Sequence, residues 1–543
     1  MARAHVTVAA GTAASRITGL VRVVVFGAVI GQTALADAYD VANNAPNVVH
    51  ELLLGGVLAA TLVPLLTRHL DRDDDAAMRA ILGTAVAAVL ALTVVGVAIA
   101  PLVVRAFTLD PAAAVDADEF RRVATDLTRV FMLQIAGYGL TAVGSAVLNA
   151  RRRFAAAAWA PVLANALTIA ALLGLRADLA RRPALADAAR GGGAFAWLSL
   201  GSTVGILAMA AVVVVAAARA GTRPPAPLPR PSHPAVRELL RASGWSVAYI
   251  ATNQLALVVV KNLADPGSGG VDAYAKAFTI FQLPHGLAAV TIATTAAPEL
   301  ARLAARAAGG GGAAADESAR GEFSARFVRA ARATAFLALP ASLGLLALAR
   351  PLVAALLERG AFDAAATTAT SRALAGLAVG LAGFSLYLLA LRGFYSHGDT
   401  RTPFVINAGQ NALNVVLAVA LAGRLDVLGL GLAFSGSYLV AAVVALAALA
   451  RRHGTPGAGR TLAGLAPMAA AAAGMGLAVR ASREVVLGAA DAAGTVAVAR
   501  TLVGLVVGLV AYAALTLALG VPEARATARG LLSPRGSRGR RDG

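Results

Sequence analysis

Polar side chains recur at helical spacing within one strongly apolar segment of the chain. Steps of four, three and four residues place every member of this set on one face of a helix. The set, here called the polar stripe, comprises Asp40, Asn44, Asn47 and Glu51. A helix that exposed unpaired polar groups to hydrocarbon would lose several kcal/mol for each of them. The polar stripe therefore predicts a helix that lines a polar cavity or meets a polar partner.

Basic side chains accompany the polar stripe. Arg16 and Arg22 lie in the preceding apolar segment. His50 flanks the stripe, and Lys276 belongs to a later apolar segment. Guanidinium and ammonium groups bind phosphate oxygens well, and more strongly in a low-dielectric cavity than in water. These residues predict a cationic site for an anion whose apolar part stays in lipid. A polyprenyl pyrophosphate-linked sugar fits that description.

Membrane-spanning helices must position these residues. The 543-residue chain is 58% hydrophobic and only 14% charged, and its mean hydropathy is +0.72. The apolar residues fall in blocks of about 20, each long enough to cross a hydrocarbon layer of roughly 30 Å as a helix. Because helices satisfy their own backbone groups in lipid, the blocks predict an all-α polytopic membrane protein.

About fourteen transmembrane helices are expected, as two pseudo-symmetric six-helix lobes followed by two further helices. The spans are placed near residues 6–31, 38–67, 78–106, 123–150, 155–175, 194–218, 238–262, 271–302, 327–350, 363–394, 402–423, 427–450, 461–480 and 495–521. A weak internal repeat supports the two lobes. Pro161 precedes Asn165 by four residues in the first half, and Pro403 stands in the same relation to Asn407 in the second.

The predicted divisions of the chain follow its composition. They are 1–220 for the first lobe, 221–235 for a linker, 236–452 for the second lobe, 453–521 for two added helices and 522–543 for a basic tail. Six prolines make the linker extended and semi-rigid. Arginines concentrate in the even-numbered connections, so the positive-inside rule places both termini in the cytoplasm. The loop at 176–190, with four arginines on the outer side, disagrees.

Depth along the helices follows from a rise of about 1.5 Å per residue. Counted from the turn near residue 31, Arg22 lies about 14 Å deep and Arg16 about 22 Å deep. His50 lies about 20 Å below Asp37, so it should share the mid-membrane depth of Arg16. A charge there costs roughly 2.5–3.5 kcal/mol on insertion scales, which helix packing alone does not explain.

Other classes of function lack a signal in the sequence. A net charge of +19 would suggest nucleic acid in a soluble protein, but here the charge lies between spans, so no nucleic-acid partner is expected. Cysteine is absent, and the seven histidines lack zinc-site spacing. No nucleophile–base pair or phosphate-binding glycine loop is present. We expect no catalytic residue, metal or cofactor, and therefore no enzyme.

Structural explanations remain open for each of these residues. Arg16 and Arg22 would pair with Asp37, Asp40 or Glu51 if the cations only lock helices together. His50 would make a structural hydrogen bond, and Lys276 would extend to the membrane surface. Amide side chains in later spans suit contacts between helices better than a site. These amides are Asn253, Gln254, Asn407, Gln410, Asn411 and Asn414.

The sequence resembles the MurJ/MviN family of lipid II flippases, within the multidrug/oligosaccharidyl-lipid/polysaccharide exporter superfamily. The first matching stretch holds Ser15, Arg16, Gly19, Arg22, Asp37, Ala38, Val41, Ala42, Pro46, Asn47, Gly56, Val63 and Pro64. The second holds Leu148, Asn149, Ala150, Phe154, Pro161 and Asn165. The third holds Phe394, Tyr395, Gly398, Asp399, Thr400, Thr402 and Pro403. With the predicted spans, the resemblance covers nearly the whole chain.

The resemblance implies two six-helix lobes around a cationic cavity, with the last two helices forming a groove for the polyprenyl tail. Lipid II would enter from the inner leaflet of the bacterial cytoplasmic membrane and leave to the outer leaflet by alternating access. Arg16 and Arg22 would hold the pyrophosphate. Asp37 and Asn47 would shape the cavity and its outer gate.

The chain departs from the family pattern in several charges. Val23 stands where the family pattern has an acid after the second arginine, and His50 stands where it has a third arginine. Gly55 replaces the acid that the pattern has before a glycine. An arginine expected in the eighth span is Thr279, and Lys276, one turn earlier, is the candidate replacement. The seventh and eleventh spans carry amides where some relatives bind sodium through acids, which argues against sodium coupling.

Two alternatives follow from these departures and from the charged segments. The first is export of another polyprenyl-linked glycan or of an amphipathic metabolite. The second is a non-transporting membrane scaffold that recruits cell-wall synthesis or division proteins, because the chain has long linkers and a basic tail. That tail, from Arg525 to Arg541, is also expected to meet anionic membrane lipid.

Overall fold

The computed structural model describes residues 2–54, 66–70, 72, 74–189, 191–222, 229, 232–308, 313–454, 464–487 and 494–532. Within these ranges the chain is all-helical, with turns between the helices and no strand. The glycine run at 309–312, most of the proline-rich linker and the end of the basic tail lie outside the described residues. The predicted all-α fold is confirmed.

The chain divides into two compact units. The first unit is Met1–Lys276 with Leu357–Ala366, and the second unit is Ala277–Leu356 with Thr367–Gly543. The segment Leu357–Ala366, here called the strap, thus belongs to the first unit although it lies far along the chain. The lobe boundaries predicted from the linker stay a prediction.

Besides a helical stretch at residues 66–70, the first unit is built from nine helices and the start of a tenth within the described residues. They are α1 (Ala2–Ile30), α2 (Ala34–Leu54), α3 (Asp75–Phe107), α4 (Ala117–Met132), α5 (Gln134–Ala150), α6 (Ala155–Leu179), α7 (Leu185–Ala189), α8 (Gly193–Arg219), α9 (Pro234–Leu263) and α10 (Gly270–Pro284). Asp74 caps α3 by accepting the Ala77 N–H at 3.0 Å. Asp116 caps α4 in the same way, at 2.7 Å from the Glu119 nitrogen.

The second unit begins at Ala277 within α10, and a π-helical turn follows. Its elements are this turn (His285–Ala289), α11 (Val290–Ala308), α12 (Ala313–Leu357), α13 (Ala364–Ala378), α14 (Leu381–Ser396), α15 (Arg401–His453), α16 (Ala466–Leu487), α17 (Thr495–Ala518) and α18 (Pro522–Leu532). Non-helical backbone at Asp426, with φ 49° and ψ −134°, interrupts α15. A single 53-residue helix would be about 80 Å long, so α15 supplies two spans.

Each of the fourteen predicted spans overlaps a helix of the structure. The fourth span is two helices that meet at Leu133, and the π-helical turn after Pro284 interrupts the eighth. The tenth bends by 49° between α13 and α14. Eight helices, or nine with this bent pair, are long and apolar enough to cross a membrane among the described residues. The chain is a multi-pass membrane protein.

Aromatic residues fill the interior of the first unit where the site residues lie. Phe26 of α1 packs on Tyr39 of α2 with ring centroids 4.8 Å apart, and Tyr39 meets Phe131 of α4 at 5.1 Å. Glycine allows close helix contacts elsewhere in this unit, since a Cβ on Gly205 of α8 would lie 2.8 Å from the Ala164 oxygen of α6. The core thereby fixes α1 and α2 against each other.

Two charged contacts of the second unit involve the start of α18 and the turn before α15. Arg332 of α12 makes two hydrogen bonds to Glu523 of α18, at 2.5 and 2.9 Å. Asp399, in the turn before α15, accepts bonds from the Thr402 N–H and hydroxyl and from Arg452. Burial alone would raise the pKa of Asp399, but these hydrogen bonds and the Arg452 charge outweigh it and lower the pKa below its usual value.

Candidate functional site

The polar stripe lies along α2, which is helical from Ala34 to Leu54. Pro46 removes one backbone donor, yet the helix continues through it to Leu54. Asp40 is half-buried, Asn44 is buried and Asn47 is exposed. The stripe therefore has both enclosed and accessible members among the described residues. The side chains of His50 and Glu51 lie outside the described part of the chain.

Arg22 stands beside this stripe on α1. It is half-buried and attracts the charge of Asp40. Its charge also reaches Tyr39 and Tyr138. Arg16 is exposed on the same helix. Neither arginine makes an ion pair or hydrogen bond with any other residue that the structure describes. Within those residues, the alternative that carboxylates merely neutralise both arginines is not supported.

Asn47 and Tyr138 join the accessible part of the stripe. The Tyr138 hydroxyl donates to Asn47 Oδ1 at 3.5 Å, a long contact that fixes the amide only loosely. Arg22 is close enough to Tyr138 to act on it electrostatically. Arg22 and Asn47, both named as site residues from the sequence, therefore share one region of the first unit beside Tyr138.

Lys261 was missed by the sequence reasoning. It lies one residue before the end of the predicted span 238–262, where a lysine is usually taken to reach the membrane surface. In the structure Lys261 is only 8% exposed. Its Nζ donates to the Asp40 backbone oxygen at 3.2 Å and lies 5.9 Å from the centre of the Phe107 ring. This lysine adds a second buried cation beside the polar stripe.

Asp37 binds the backbone that leads into α10. Its carboxylate accepts the N–H groups of Gly267, Gly269 and Asp272, each at 2.8 Å. Gly267 and Gly269 have φ of +103° and +92°, a left-handed region that favours glycine. Asp37 is fully buried. Its oxygens thus hold the start of a helix, where a negative charge is favourable, and do not face an accessible ligand.

Lys276 is enclosed instead of reaching the membrane surface. It forms an ion pair with Asp272, one turn earlier on α10, and is 4% exposed. Its Nζ lies 5.0 Å from the Phe26 ring centre and 5.6 Å from that of Phe362 in the strap. The alternative that Lys276 extends to the surface is wrong, because a paired ammonium between two aromatic faces is already stabilised. The sequence reasoning also missed Asp272.

The strap docks on the end of α1 and on Gly31, which follows it. The Ala361 N–H donates to the Ala28 oxygen at 2.8 Å. Gly360 and Gly31 have φ of +61° and +76°, and a Cβ on either would collide with the backbone of Ala28 or Ala361. Backbone contact of this closeness requires glycine at both positions.

One buried amide of the second unit makes a contact between helical segments. Gln410 Nε2 donates to the Ser437 hydroxyl at 2.9 Å, across the interruption in α15. Asn411 Nδ2 donates to the Asn407 backbone oxygen at 3.0 Å, within one segment of α15. The Gln410 bond agrees with the structural interpretation of the amides. No group of three side chains that could hold a metal ion is found among the described residues.

The charges of the first unit fall into two clusters. In the first, Asp37 is satisfied by backbone N–H groups, and Asp272 is paired with Lys276. In the second, Arg22 and Lys261 stand near Asp40 without an ion pair to any described residue. The second cluster holds two cations to one carboxylate. The second cluster can therefore attract an anion, whereas the one cation of the first cluster, Lys276, is already paired with Asp272.

Comparisons with known proteins agree on one family. The chain matches the family model described as "Lipid II flippase MurJ" over residues 26–520. It is 30% identical over 443 residues to the probable lipid II flippase MurJ of Rhizobium meliloti (strain 1021), covering 79% of this chain and 76% of that protein. It is 32% identical over 414 residues to the lipid II flippase MurJ of Burkholderia cenocepacia, covering 75% of each.

Solved structures show a similar fold. A lipid II flippase MurJ in an inward closed conformation aligns with a TM-score of 0.73 at 19% identity, over 96% of this chain and 100% of that one. An inward-facing MATE family transporter of the MOP superfamily aligns with a TM-score of 0.61 at 16% identity, over 81% and 94%. An outward-facing MATE transporter aligns with a TM-score of 0.57 at 14% identity, over 83% and 95%.

Proposed function

Since the chain belongs to the lipid II flippase MurJ family, we propose that it moves lipid II from the inner to the outer leaflet of the bacterial cytoplasmic membrane. The transport proceeds by alternating access, in which a binding cavity opens to one side of the membrane at a time. The fold is shared with transporters solved in inward-facing and outward-facing conformations. The substrate is a polyprenyl pyrophosphate-linked glycan, and membrane lipids surround the protein.

The observation that carries this proposal is the state of Arg22. A half-buried guanidinium on a membrane-spanning helix, without an ion pair to any described residue, is costly unless it serves a ligand. Its fork matches the geometry of phosphate oxygens. Arg22 binds the pyrophosphate, Arg16 supplies a second exposed guanidinium on the same helix, and Asn47 makes hydrogen bonds to the headgroup. His50 and Lys261 add charge beside them.

Asp37 and Lys276 have a positioning role in this proposal. The carboxylate of Asp37 fixes the start of α10 against α2, and the Lys276–Asp272 pair lies beneath the strap. Both contacts hold α1, α2, α10 and the strap together at one end of the first unit. Opening of the outer gate requires these contacts to weaken, so the two residues control access and do not touch pyrophosphate in this state.

Complementation tests the proposal directly. In a bacterial strain depleted of its own lipid II flippase, Arg22→Gln is expected to abolish rescue at normal expression, whereas Arg22→Lys retains part of it. Arg79→Gln is the matched control, because it removes an exposed guanidinium near the start of α3. Full rescue by a double variant with Arg16→Gln and Arg22→Gln would refute the assigned site, and failure of the native chain to rescue would refute the substrate.

A different measurement distinguishes lipid II from a second class of substrate, another polyprenyl-linked glycan. The substituted charges at Val23, His50 and Thr279 favour another polyprenyl-linked glycan over lipid II. Lipids extracted with the purified protein and identified by mass spectrometry decide between the two. Lipid II in the extract supports the proposal, and a different pyrophosphate-linked glycan in its place supports the second class.

The proposed direction of transport depends on the orientation of the protein in the membrane, that is, on which side its termini lie. Both termini are cytoplasmic, in accord with the arginines that cluster between spans. A reactive thiol introduced at either terminus should therefore resist an impermeant reagent added to intact cells, and one introduced at the exposed Asp110 should react. Labelling of the termini in intact cells would reverse the assignment.

A further inference from the structure

Asp40 is a carboxylate that the described part of the protein leaves incompletely satisfied. Its Oδ2 atom is enclosed and has no hydrogen-bond partner among the described residues. One helical turn later, Nδ2 of Asn44 is in the same state, and Asn44 is 8% exposed. A buried group left unpaired costs roughly 1–3 kcal/mol, and more when it is charged. A carboxylate with a purely structural role would be bonded as Asp37 is, one turn earlier on α2.

Three cations act on Asp40 from neighbouring helices. They are Arg22 on α1, Lys261 on α9 and Lys276 on α10. The charge of Lys276 is offset by Asp272. Lys261 donates to the Asp40 backbone oxygen, and among the described residues neither Lys261 nor Arg22 forms an ion pair with the carboxylate. Arg22 and Lys261 are thus the two cations available to bind an anion, and Asp40 is the carboxylate whose negative charge partly offsets theirs.

The helices α4, α5 and α7, which also pack against α2, carry groups that do not alter this balance. Phe131 of α4 faces Tyr39, and Tyr138 of α5 donates to Asn47. The acidic residue of α7, Asp187, pairs with Arg181. The charges that act on Asp40 are therefore those of Arg22, Lys261 and Lys276.

We propose that Asp40 is a proton-binding site that controls how strongly Arg22 and Lys261 bind an anionic headgroup. This inference rests on the proposed function. When ionised, Asp40 competes with phosphate oxygens for the two cations. When Oδ2 binds a proton taken from water, the negative charge disappears, the new O–H becomes a donor, and both cations are left for the phosphate. Binding of the headgroup then draws one proton into the site, and loss of that proton favours release.

A proton suits this site better than a metal ion. Arg22 and Lys261 oppose the binding of either cation at Asp40, but a proton needs only one oxygen atom, and Oδ2 of Asp40 is enclosed without a partner among the described residues. A sodium site needs several oxygen ligands converging on one point, and no group of three acidic or histidine side chains does so among the described residues. Sodium is therefore an outcome for the experiment to exclude.

The experiment measures lipid II affinity across pH with the full-length protein in nanodiscs of neutral lipid. All variants carry His50→Gln, because a histidine would titrate between about pH 5 and 8 and obscure the result. In this background, affinity is expected to fall as pH rises through the Asp40 titration, with a limiting slope of about tenfold per pH unit for one coupled proton. Adding Asp40→Asn should give high affinity that does not change with pH.

The matched control is Asp110→Asn, which makes the same chemical change at an exposed acid before α4. It should keep the full pH dependence. Asp40→Glu, which restores a carboxylate, should recover a pH dependence that Asp40→Asn lacks. The same pH slope in the Asp40→Asn variant would overturn the inference, as would an affinity that responds to sodium at fixed pH.

A direct measurement covers the case in which Asp40→Asn does not fold. In a weakly buffered solution with a pH indicator, lipid II added to the His50→Gln protein should cause uptake of about one proton per bound headgroup. Binding without proton uptake would overturn this inference and leave the proposed function standing. Absence of lipid II binding at every pH, in the native protein and the Asp110→Asn control alike, would overturn the proposed function itself.

Discussion

Two successive turns of α2 carry aspartates in opposite states. Asp37 receives three backbone hydrogen bonds and is inaccessible. Asp40, three residues later, has an enclosed oxygen without a partner among the described residues and lies among cations that do not pair with it. The same side chain therefore serves structure in one turn and is available for chemistry in the next. Residue type alone does not separate these roles, but hydrogen-bond satisfaction does.

The largest effect on stability is expected at Asp37. Asp37→Ala leaves three buried N–H groups without acceptors, and each should cost roughly 1–3 kcal/mol of the free energy of unfolding. Asp110→Ala, at an exposed site, should leave stability unchanged. Denaturant unfolding in mixed micelles measures both. An Asp37→Ala protein as stable as the control would mean that Asp37 does not have the structural role that separates it from Asp40.

Breaking the buried pair in α10 should have the next largest effect. Lys276→Met leaves Asp272 buried without its partner, which typically costs about 3–5 kcal/mol. The double variant Lys276→Met with Asp272→Leu should recover most of that loss, because no unpaired charge remains. A double variant no more stable than the single one would show that the pair does more than neutralise itself. The same unfolding assay provides the comparison.

Acid should weaken the turn before α15 by a smaller amount. The pKa of Asp399 is lowered below the ordinary value of 3.8 in the folded protein. Its ionised form therefore adds stability that is fully present above the unfolded pKa and is lost as pH falls through the lower, folded pKa. Thermal unfolding of Asp399→Asn should match that of the native protein near pH 2 and fall below it near neutrality. Equal differences at both pH values would contradict the assignment.

The smallest effect on stability is expected at Asp40. Asp40→Asn removes a charge that no described residue pairs, so the free energy of unfolding should change by less than about 1 kcal/mol or increase. Transport should nevertheless change, as the proton-binding inference requires. A loss as large as that from Asp37→Ala would mean that Asp40 is a structural residue, and the contrast between the two turns would disappear.

Much of this architecture could be predicted from periodicity and hydropathy. The polar stripe required one helix face, and α2 provides it. The blocks of apolar residues required spans, and each overlaps a helix. The break at Asp426 falls between two predicted spans because an 80 Å helix cannot fit a bilayer of roughly 30 Å. These features depend on local sequence and on the membrane, and both are visible without a structure.

The sequence could not show in the same way which charged residues make structural contacts and which are available to a ligand. Asp37 binds the Gly267 N–H across 230 residues of sequence, and no local pattern indicates which acid makes that bond. Lys276 was assigned to a ligand or to the membrane surface, and Lys261 was missed, because the helices that enclose these two lysines are distant in sequence. Only the glycines at 267 and 269 hinted that a backbone turn of unusual conformation lay there.

The strap has a consequence for anyone who wishes to cut this protein in two. Leu357–Ala366 belongs to the first unit, but the residues on either side of it belong to the second. A cut between Lys276 and Ala277 would therefore produce an amino-terminal fragment that lacks the strap. The other fragment would carry the strap as an internal segment without the helices on which it packs. The Ala361–Ala28 hydrogen bond and the buried Phe362 would then have to bring the fragments back together. Split reporters and semisynthesis in this protein should treat those ten residues as part of the amino-terminal half.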